Sequence, residues 1–327
     1  MSTRFRLSIP PTPTIHEYDV IVVGAGAAGL TAAIYLARYK LNVLVIGEVI
    51  GGTMTEAPII DDYPGLPEIP GFDLANRFTE HVKKYGIPII RDYVVDITKH
   101  NKKFIINTKS GTKYYSKAVI LAIGLKRRKL GVPGESEFIG KGVSYCVTCD
   151  IPLFKGKVVA IVGGGNAALT GALHAAQIAS KVYLIHRRSE FRAFPIYIEL
   201  VKENPKIELV LNAIVREIGG REKVEYILVE RKDENKLMKI SVDGVFIEIG
   251  FEPPTQFLKK IGIEVDETGR AIVKPGQRTN IDGLFVAGDC AGGPYKYRFE
   301  QVITAAAEGA IAADAAFKYL MKMEIEK

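Results

Sequence analysis

Cys146 and Cys149 are the residues of this chain best suited to reversible redox chemistry. A CxxC pair can close a disulfide and reopen it by thiol–disulfide exchange. The only other cysteine among the 327 residues is Cys290. So few cysteines do not make a disulfide framework, and they favour a reducing compartment such as the cytoplasm. A zinc or cluster site usually takes four ligands, and only Cys290 and dispersed histidines remain, so we expect no metal.

The pair lies between two glycine-rich loops that predict nucleotide binding. The first loop, 24–29, follows a β-branched strand, 18–23, and precedes a helical run, 30–39, and a second strand, 42–46. A dinucleotide fingerprint requires such a strand–turn–helix–strand unit. Its glycines allow a tight turn and a close approach of a pyrophosphate, which the helix N-terminus attracts. The predicted contacts are Gly24, Gly26, Ala27, Ala28 and Gly29.

Glu48 follows the second strand of this unit, at the place where an acid usually bonds a ribose hydroxyl. An exposed loop acid is the alternative interpretation of the same residue. The sequence therefore predicts a ribose contact at Glu48 and leaves the alternative open.

The second glycine-rich loop repeats the first unit later in the chain. A constant shift carries Gly24 onto Gly163 and Ile46 onto Ile185. Such self-similarity indicates two copies of one nucleotide-binding architecture, so we expect the chain to hold two dinucleotides. The predicted contacts of the second copy are Gly163, Gly165, Asn166 and Ala167.

The second copy ends in a basic segment that contains His186, Arg187, Arg188 and Arg192 and no acid at the ribose position. An acid would repel a 2′-phosphate, whereas arginines bind one bidentately. The segment therefore predicts a preference for NADPH over NADH. A basic turn on the surface is the alternative.

A third candidate region follows the predicted strand 283–289, which ends in Gly288 and Asp289 and precedes an alanine-rich helix. Asp289 could bond a hydroxyl of a flavin tail, and the backbone N–H groups of Gln301 and Val302 could face the isoalloxazine. A turn-capping acid is the alternative for Asp289. We expect Cys290 to pack beside this site rather than to react.

Several other function classes are disfavoured by composition. The net charge is +7, but the basic residues are scattered among 37 acidic ones, which argues against nucleic-acid binding. The apolar stretch 20–37 contains three glycines after a β-branched run, so a strand, a turn and a buried helix explain it better than a membrane span. The segment 1–14 is more typical of an arm than of a signal peptide. The stretch 207–250 alternates in the manner of antiparallel strands.

Taken together, these residues resemble the low-molecular-weight bacterial and archaeal thioredoxin reductases, from Tyr18 to about Tyr319. The segments 146–150 and 186–193 carry the resemblance, and 62–65 supports it together with Gly288–Asp289 and Gln301. The resemblance adds Gly52, Asp62 and Gly124 to the expected FAD contacts.

The resemblance implies an α/β fold with two Rossmann-like, three-layer dinucleotide-binding domains. An NADPH domain that carries the CxxC pair, 124–248, would be inserted into an FAD domain formed by residues 1–123 and 249–327. Members of this family are commonly homodimers.

The resemblance also implies a mechanism. A hydride passes from NADPH to the flavin, the reduced flavin opens the disulfide, and the dithiol attacks thioredoxin or a thioredoxin-like protein. Cys149 would face the flavin, Cys146 would attack, and Asp150 would protonate the departing thiolate, with a helix N-cap as a further role for Asp150. Because one rigid arrangement can hardly serve both steps, we expect the middle domain to rotate about connections near 123–126 and 248–251.

Three alternatives remain at the level of sequence. The first is a related flavoprotein reductase that serves a glutaredoxin-like oxidoreductase or a peroxiredoxin. The second is a redox sensor without turnover. The third, from a different class, is a metal-binding protein in which the cysteine pair holds zinc or part of a cluster.

Overall fold

The computed structural model describes residues 16–57, 59–231 and 236–325. The arm predicted at 1–14 lies outside these residues. The described chain divides into two units, of which the first comprises 16–54, 73–124 and 254–325. The second comprises the described residues between 55 and 72 and between 125 and 253. The domain limits predicted at 123 and 248 did not anticipate that the segment 55–72 groups with the second unit.

The strands of the described residues, in chain order, are β1 (His16–Val23), β2 (Val43–Ile46), β3 (Ile89–Ile90), β4 (Val94–His100), β5 (Lys103–Thr108), β6 (Lys113–Leu121), β7 (Lys126–Arg127), β8 (Val143–Ser144), β9 (Val158–Gly163), β10 (Lys181–Ile185), β11 (Ile207–Val210), β12 (Ala213–Gly220), β13 (Val224–Arg231), β14 (Lys236–Ser241), β15 (Gly244–Glu248), β16 (Phe251–Glu252), β17 (Ala271–Ile272), β18 (Leu284–Val286) and β19 (Ala291–Gly292).

The α-helices of the described residues are α1 (Ala27–Arg38), α2 (Gly71–Lys84), α3 (Val147–Asp150), α4 (Asn166–Ile178), α5 (Pro195–Glu203), α6 (Thr255–Lys260) and α7 (Val302–Ile325). Short 3₁₀ helices lie at Gly52–Glu56 and Ile151–Phe154. In the ranges given above, no helix combines the length and apolarity that crossing a membrane requires. The apolar stretch 20–37 is divided between β1 and α1.

The first unit is built on a sheet whose parallel part has the order β3-β2-β1-β6-β18, with β5 and β4 added antiparallel beyond β6. The central strand β1 is buried on both faces, which its β-branched run predicts. Val20 and Val22 belong to the apolar cluster that contains α1 and α7. Ile21 and Val23 point into the cluster on the opposite face. The strand thus fixes the loop at its carboxyl end between two packed layers.

The second unit contains a parallel sheet with the order β11-β10-β9-β15-β8 and a separate antiparallel sheet, β12-β13-β14. Alternate residues of β9 face two different clusters, one lined by α4 and the other by the antiparallel sheet. The two units therefore share a Rossmann-like arrangement of strand, glycine loop, helix and strand, as the internal repeat predicts.

The antiparallel interpretation of 207–250 is wrong at both ends of that stretch. Only β12, β13 and β14 pair antiparallel, whereas β11 pairs parallel with β10, and β15 pairs parallel with β9 and β8. These outer segments complete the Rossmann sheet. Their residue types are those of any short buried strand, and their partners lie far away in the chain.

Candidate redox and nucleotide-binding sites

The cysteine pair forms a disulfide at the start of the short helix α3, with 5.4 Å between the two Cα atoms. β8 delivers the chain to this helix through Ser144, whose Oγ accepts the Cys146 N–H at 3.0 Å. Cys146 caps the helix, and its Sγ accepts the Cys149 N–H at 3.2 Å. Cys146 is half-buried and Cys149 is exposed.

Tyr145, directly before the pair, is held by a buried carboxylate that the sequence did not single out. Its hydroxyl donates to Glu135 Oε1 at 2.7 Å. Glu135 also accepts the backbone N–H groups of Leu130 at 2.9 Å and Gly131 at 2.6 Å. Burial, with the neighbouring Glu135, raises the pKa of Tyr145, so the residue stays a neutral phenol. The residues directly before α3 are therefore held by two hydrogen bonds, one from Tyr145 to Glu135 and one from the Cys146 N–H to Ser144.

Asp150 is the last residue of α3 and stands at the N-cap position of the following 3₁₀ helix. Its side chain makes no capping hydrogen bond there. Its own N–H donates to the Cys146 carbonyl at 3.3 Å. The N-cap role proposed for its carboxylate is therefore wrong.

The glycine loop of the second unit is packed too tightly for side chains. A Cβ at Gly163 would lie 2.2 Å from the Glu248 carbonyl oxygen and 2.7 Å from Ala168 Cβ. Gly165, at the N-cap of α4, has open space instead. Gly165, Asn166 and Ala167 thus present backbone N–H groups at the start of a helix, where no side chain caps them. The loop has the open face and the donors that a pyrophosphate requires.

The His186 side chain is buried beneath the basic segment and does not extend into solvent. Its ring is buried against the loop, so that a Cβ at Gly164 would lie 2.1 Å from ring atoms. Its Nε2 is 3.0 Å from the carbonyl oxygen of Glu190, and the ring stacks on Phe191 at 5.3 Å. Burial, helped by the two following arginines, lowers the pKa of His186, which favours the neutral ring.

The three arginines lie in the exposed segment that follows β10. Arg192 donates its backbone N–H to the Gly164 carbonyl at 2.7 Å, while Asn166 Oδ1 accepts the Phe194 N–H at 2.8 Å. The side chains of Arg187, Arg188 and Arg192 are exposed, and none forms an ion pair with another described residue. The structure therefore brings the predicted loop and the predicted arginines to one edge of the sheet.

The loop of the first unit is packed in the same way. A Cβ at Gly24 would lie 2.1 Å from the Ala122 carbonyl oxygen, and one at Gly29 would lie 1.9 Å from the Gly24 carbonyl oxygen. Gly52 reaches Gly26, because its Cβ would lie 2.9 Å from the Gly26 Cα. Glycine at these positions keeps the backbone close and leaves the start of α1 uncapped by any side chain.

Glu48 follows β2 at the position that the repeat matches to Arg187. It is exposed, and its carbonyl oxygen accepts Nε of Arg91 at 3.1 Å. The two copies therefore carry opposite charges at the same place in the fold. A carboxylate suits a ribose with free hydroxyls, and a guanidinium suits a phosphorylated one.

The turn Gly288–Asp289 lies against the first loop, with a Gly288 Cβ position 3.2 Å from Ala28 Cβ. An ion pair fixes it, since Glu308 Oε2 accepts the Gly288 N–H at 2.8 Å and Lys296 Nζ donates to the Gly288 carbonyl at 2.7 Å. Lys296 and Glu308 also bond each other at 2.8 Å. Burial, with nearby carboxylates, raises the pKa of Asp289, and Lys296 opposes that shift.

The other predicted FAD contacts lie in several different parts of the fold. The backbone of Gly124 lies beside the Cys290 thiol, and this contact acts to lower the pKa of Cys290 against the effect of burial. The Gln301 N–H is used by Phe299 O at 3.0 Å and Thr304 Oγ1 at 3.2 Å, and Val302 begins α7. Asp62 is exposed in the segment 55–72, which belongs to the second unit.

Cys290 is fully buried and free, and burial raises its pKa to about 12. A thiol with so high a pKa is inert, which agrees with a packing role. Across the described ranges, no group of three or more histidine, cysteine or acidic side chains could hold a metal ion.

Sequence reasoning missed the charged residues that hold these segments in place, because their partners are distant in the chain. Arg127 pairs with Glu56 and Glu248, and Lys296 pairs with Glu308. No motif marks them. A buried charge becomes recognisable only when the fold shows its partner.

Comparison with known proteins places these features in context. The family described as pyridine nucleotide-disulphide oxidoreductase matches residues 18–309. The thioredoxin reductase of Treponema pallidum (strain Nichols) is 39% identical over 306 residues, which cover 93% of this chain and 97% of that protein.

Two solved structures agree with that match. The thioredoxin reductase of Lactococcus lactis, in its FR conformation, has a TM-score of 0.84 at 32% identity and covers 93% of this chain and 99% of its own. The thioredoxin reductase of T. acidophilum has a TM-score of 0.83 at 36% identity and covers 94% of this chain and 99% of its own.

Proposed function

Since the chain belongs to the pyridine nucleotide-disulphide oxidoreductase family, we propose that it is an NADPH-dependent thioredoxin-disulfide reductase. The carrying observation is the Cys146–Cys149 disulfide at the start of a helix, in the same unit as a glycine loop and three unpaired arginines. Family membership implies FAD and NADPH as cofactors. When bound, the flavin would accept a hydride from NADPH and supply two electrons to a disulfide.

The first unit fits FAD by the shape of its loop. The packed glycines are followed by an α1 start that no side chain caps, and the turn Gly288–Asp289 lies against Ala28 of that helix. Backbone N–H groups of Gly26, Ala27 and Ala28 would hold the pyrophosphate. Asp289 would accept from a sugar-alcohol hydroxyl, and Glu48 from the ribose.

The second unit fits NADPH by its charge. The N–H groups of Gly165, Asn166 and Ala167 would hold the pyrophosphate, and Arg187, Arg188 and Arg192 the 2′-phosphate. His186 would not contact the nucleotide itself; its buried ring would hold the glycine loop, against which it packs at Gly164, in position.

The cysteine pair carries the exchange with the protein substrate. After reduction, the Cys146 thiolate attacks one sulfur of the partner's disulfide, and a mixed disulfide forms while the partner's other sulfur leaves. Asp150 protonates that leaving thiolate. The Cys149 thiol then loses its proton and attacks Cys146 Sγ, which restores the Cys146–Cys149 disulfide. The partner's second sulfur leaves and takes up that proton, so the partner is released as a dithiol with two electrons and two protons more.

A partner must dock beside this pair. Leu153, in the 3₁₀ helix directly after α3, is 71% exposed in spite of its apolar side chain. An exposed leucine four residues after Cys149 is suited to the apolar core of an interface with a protein substrate. We also infer a homodimer in the cytoplasm; the family and the scarcity of cysteines support this inference.

A related reductase for a glutaredoxin-like oxidoreductase or a peroxiredoxin is the second candidate, because the cysteine pair alone does not choose among protein disulfides. Steady-state turnover with NADPH separates them. Thioredoxin, a glutaredoxin-like protein and a peroxiredoxin are offered in turn at equal concentration. We expect the highest kcat/KM with thioredoxin, and a higher value with either competitor would refute the assignment. Turnover with none of the three, while NADPH still reduces the flavin, would favour the sensor.

A further inference from the structure

Phe194 is an aromatic residue whose side chain is 61% exposed at the edge of the second unit's glycine loop. It occupies the N-cap position of α5, directly before Pro195, and makes no side-chain capping hydrogen bond there. Its ring meets that of Tyr197 in a tilted contact, with 6.3 Å between the two centroids. Exposed apolar residues are ordinary on a protein surface, so the position of this ring, rather than its exposure, supports a function.

The backbone of this segment is bound to the residues that lead into α4. The Phe194 N–H donates to Asn166 Oδ1 at 2.8 Å, and the Arg192 N–H donates to the Gly164 carbonyl at 2.7 Å. Arg192 also forms an isolated parallel bridge with Gly165. Asn166 is the first residue of α4. The amide nitrogen of Phe194 is therefore held by one of the residues whose own N–H groups are proposed to bind the pyrophosphate.

The Phe194 ring lies in the same segment as cations that are suited to a phosphate. The Cα atoms of Arg192 and Phe194 are two peptide units apart, which limits their separation to about 7.6 Å. Both side chains are exposed, as are those of Arg187 and Arg188. The edge of the loop thus presents guanidinium groups and a largely exposed aromatic ring close to one another.

A 2′-phosphorylated adenosine has the chemistry that this combination recognises. Its phosphate and its purine are attached to the same ribose, so the groups that bind them must lie close together. Guanidinium groups bind a phosphate bidentately, and an aromatic side chain stacks on the π-face of a base. Nicotinamide fits this edge less well, because the pyrophosphate separates it from the ribose that carries the 2′-phosphate.

We propose that Phe194 is the residue on which the adenine base of NADPH stacks, beside the arginines that bind the 2′-phosphate. Stacking covers ring surface that otherwise contacts water, and the contact with Tyr197 restricts the positions that the ring can take. The inference rests on the proposed function for the identity of the nucleotide. It adds a residue that recognises the base, whereas the arginines recognise only the phosphate.

The test measures the binding of adenosine 2′,5′-bisphosphate by isothermal titration calorimetry. This fragment carries the base and the 2′-phosphate but no nicotinamide, so no electron transfer takes place. The flavin-loaded protein is used, so that the FAD site is already filled. Phe194→Leu keeps an apolar side chain and removes the π-face. We expect its Kd to rise about ten-fold.

Two further variants separate stacking from a general effect on the helix. Phe194→Tyr keeps the aromatic ring, and its Kd should stay within about two-fold of wild type. Leu200→Ala is the matched control, because Leu200 is also an exposed apolar residue of α5 but lies more than a helical turn beyond its start. Its Kd should equal that of wild type.

A difference spectrum of the bound fragment supplies a second readout. Stacking should lower the adenine absorption in wild type and in Phe194→Tyr, but not in Phe194→Leu. Phe194 is largely exposed, so none of its variants removes a contact of the buried core.

The outcomes distinguish this inference from the function on which it rests. An unchanged Kd in Phe194→Leu, or an equal rise in Leu200→Ala, overturns the stacking role alone. An equal rise in Phe194→Leu and Phe194→Tyr also overturns it, because the ligand then does not require the ring. If wild type does not bind adenosine 2′,5′-bisphosphate at all, the nucleotide site of the proposed function is refuted together with the stacking role.

Discussion

The preference for NADPH can be tested by removing the charges that would recognise its 2′-phosphate. In Arg187→Ala/Arg188→Ala the loop backbone is kept, because Arg188 contributes to the fold only through its carbonyl, which accepts the Asn212 N–H at 3.2 Å. His186 and Phe191 continue to shape the segment. The perturbation is therefore confined to two exposed guanidinium groups.

The magnitude follows from the exposure of these side chains. Hydrogen bonds to charged groups contribute about 1.5–3 kcal/mol each, but solvent screening at exposed positions reduces this to about 1–1.5 kcal/mol. Two such losses amount to about 2–3 kcal/mol. The KM for NADPH should then rise roughly 30- to 150-fold. The KM for NADH, which lacks the phosphate, should change less than about two-fold.

The assay compares both nucleotides at fixed, saturating protein disulfide, with flavin content measured in every sample. Arg221→Ala/Lys223→Ala is the matched control, since both residues are exposed in the β12–β13 turn of the same unit and carry the same total charge. The control should leave both KM values at wild type. If NADPH preference survives in the Arg187/Arg188 double variant, or if NADH suffers equally, the phosphate clamp is misassigned.

Three further outcomes follow from the geometry. Leu153→Glu should raise the KM for thioredoxin about ten-fold and leave reduction of a small aromatic disulfide unchanged, whereas Leu237→Glu, at a similarly exposed position in β14, should change neither. Lys296→Met leaves Glu308 without its cation, and both side chains are largely buried, so the free energy of unfolding should fall by about 3–5 kcal/mol and FAD should dissociate faster. Lys296→Met/Glu308→Gln should recover part of this loss. An unchanged free energy of unfolding in Lys296→Met would contradict the role of the pair. Because the pKa of His186 is lowered, its neutral form is favoured in the folded protein. The stability that His186 contributes is lost as the pH falls below about 6.5 towards the lowered pKa. The melting temperature of wild type should therefore drop more between pH 7.5 and 5 than that of His186→Gln, and equal drops would contradict this role.

The nucleotide loops could be predicted from the sequence because their chemistry is local. Glycine spacing, β-branched strands and a basic segment all lie within one strand–helix–strand unit of each copy. A local error occurs at the first helix, which begins at Ala27 rather than Leu30 and so contains Gly29. Position 29 requires glycine because a Cβ there would lie 1.9 Å from the Gly24 carbonyl oxygen.

The remainder depends on contacts that the sequence does not reveal. β11 and β15 join the parallel sheet through partners in distant segments, so their local pattern suggested antiparallel neighbours instead. The pairs of Arg127 with Glu248 and of Lys296 with Glu308 are likewise set by tertiary structure. In sequence, such residues look like ordinary surface charges.

The most direct test of the account is an anaerobic titration of the flavin-loaded protein with NADPH, followed by its absorption spectrum. If electrons pass through the flavin to the Cys146–Cys149 disulfide, wild type should accept about two equivalents of NADPH per chain before excess nucleotide accumulates, one for each centre. Cys146→Ser/Cys149→Ser should accept about one. Equal uptake by the two proteins, or a preparation that binds no flavin, would contradict the central claim.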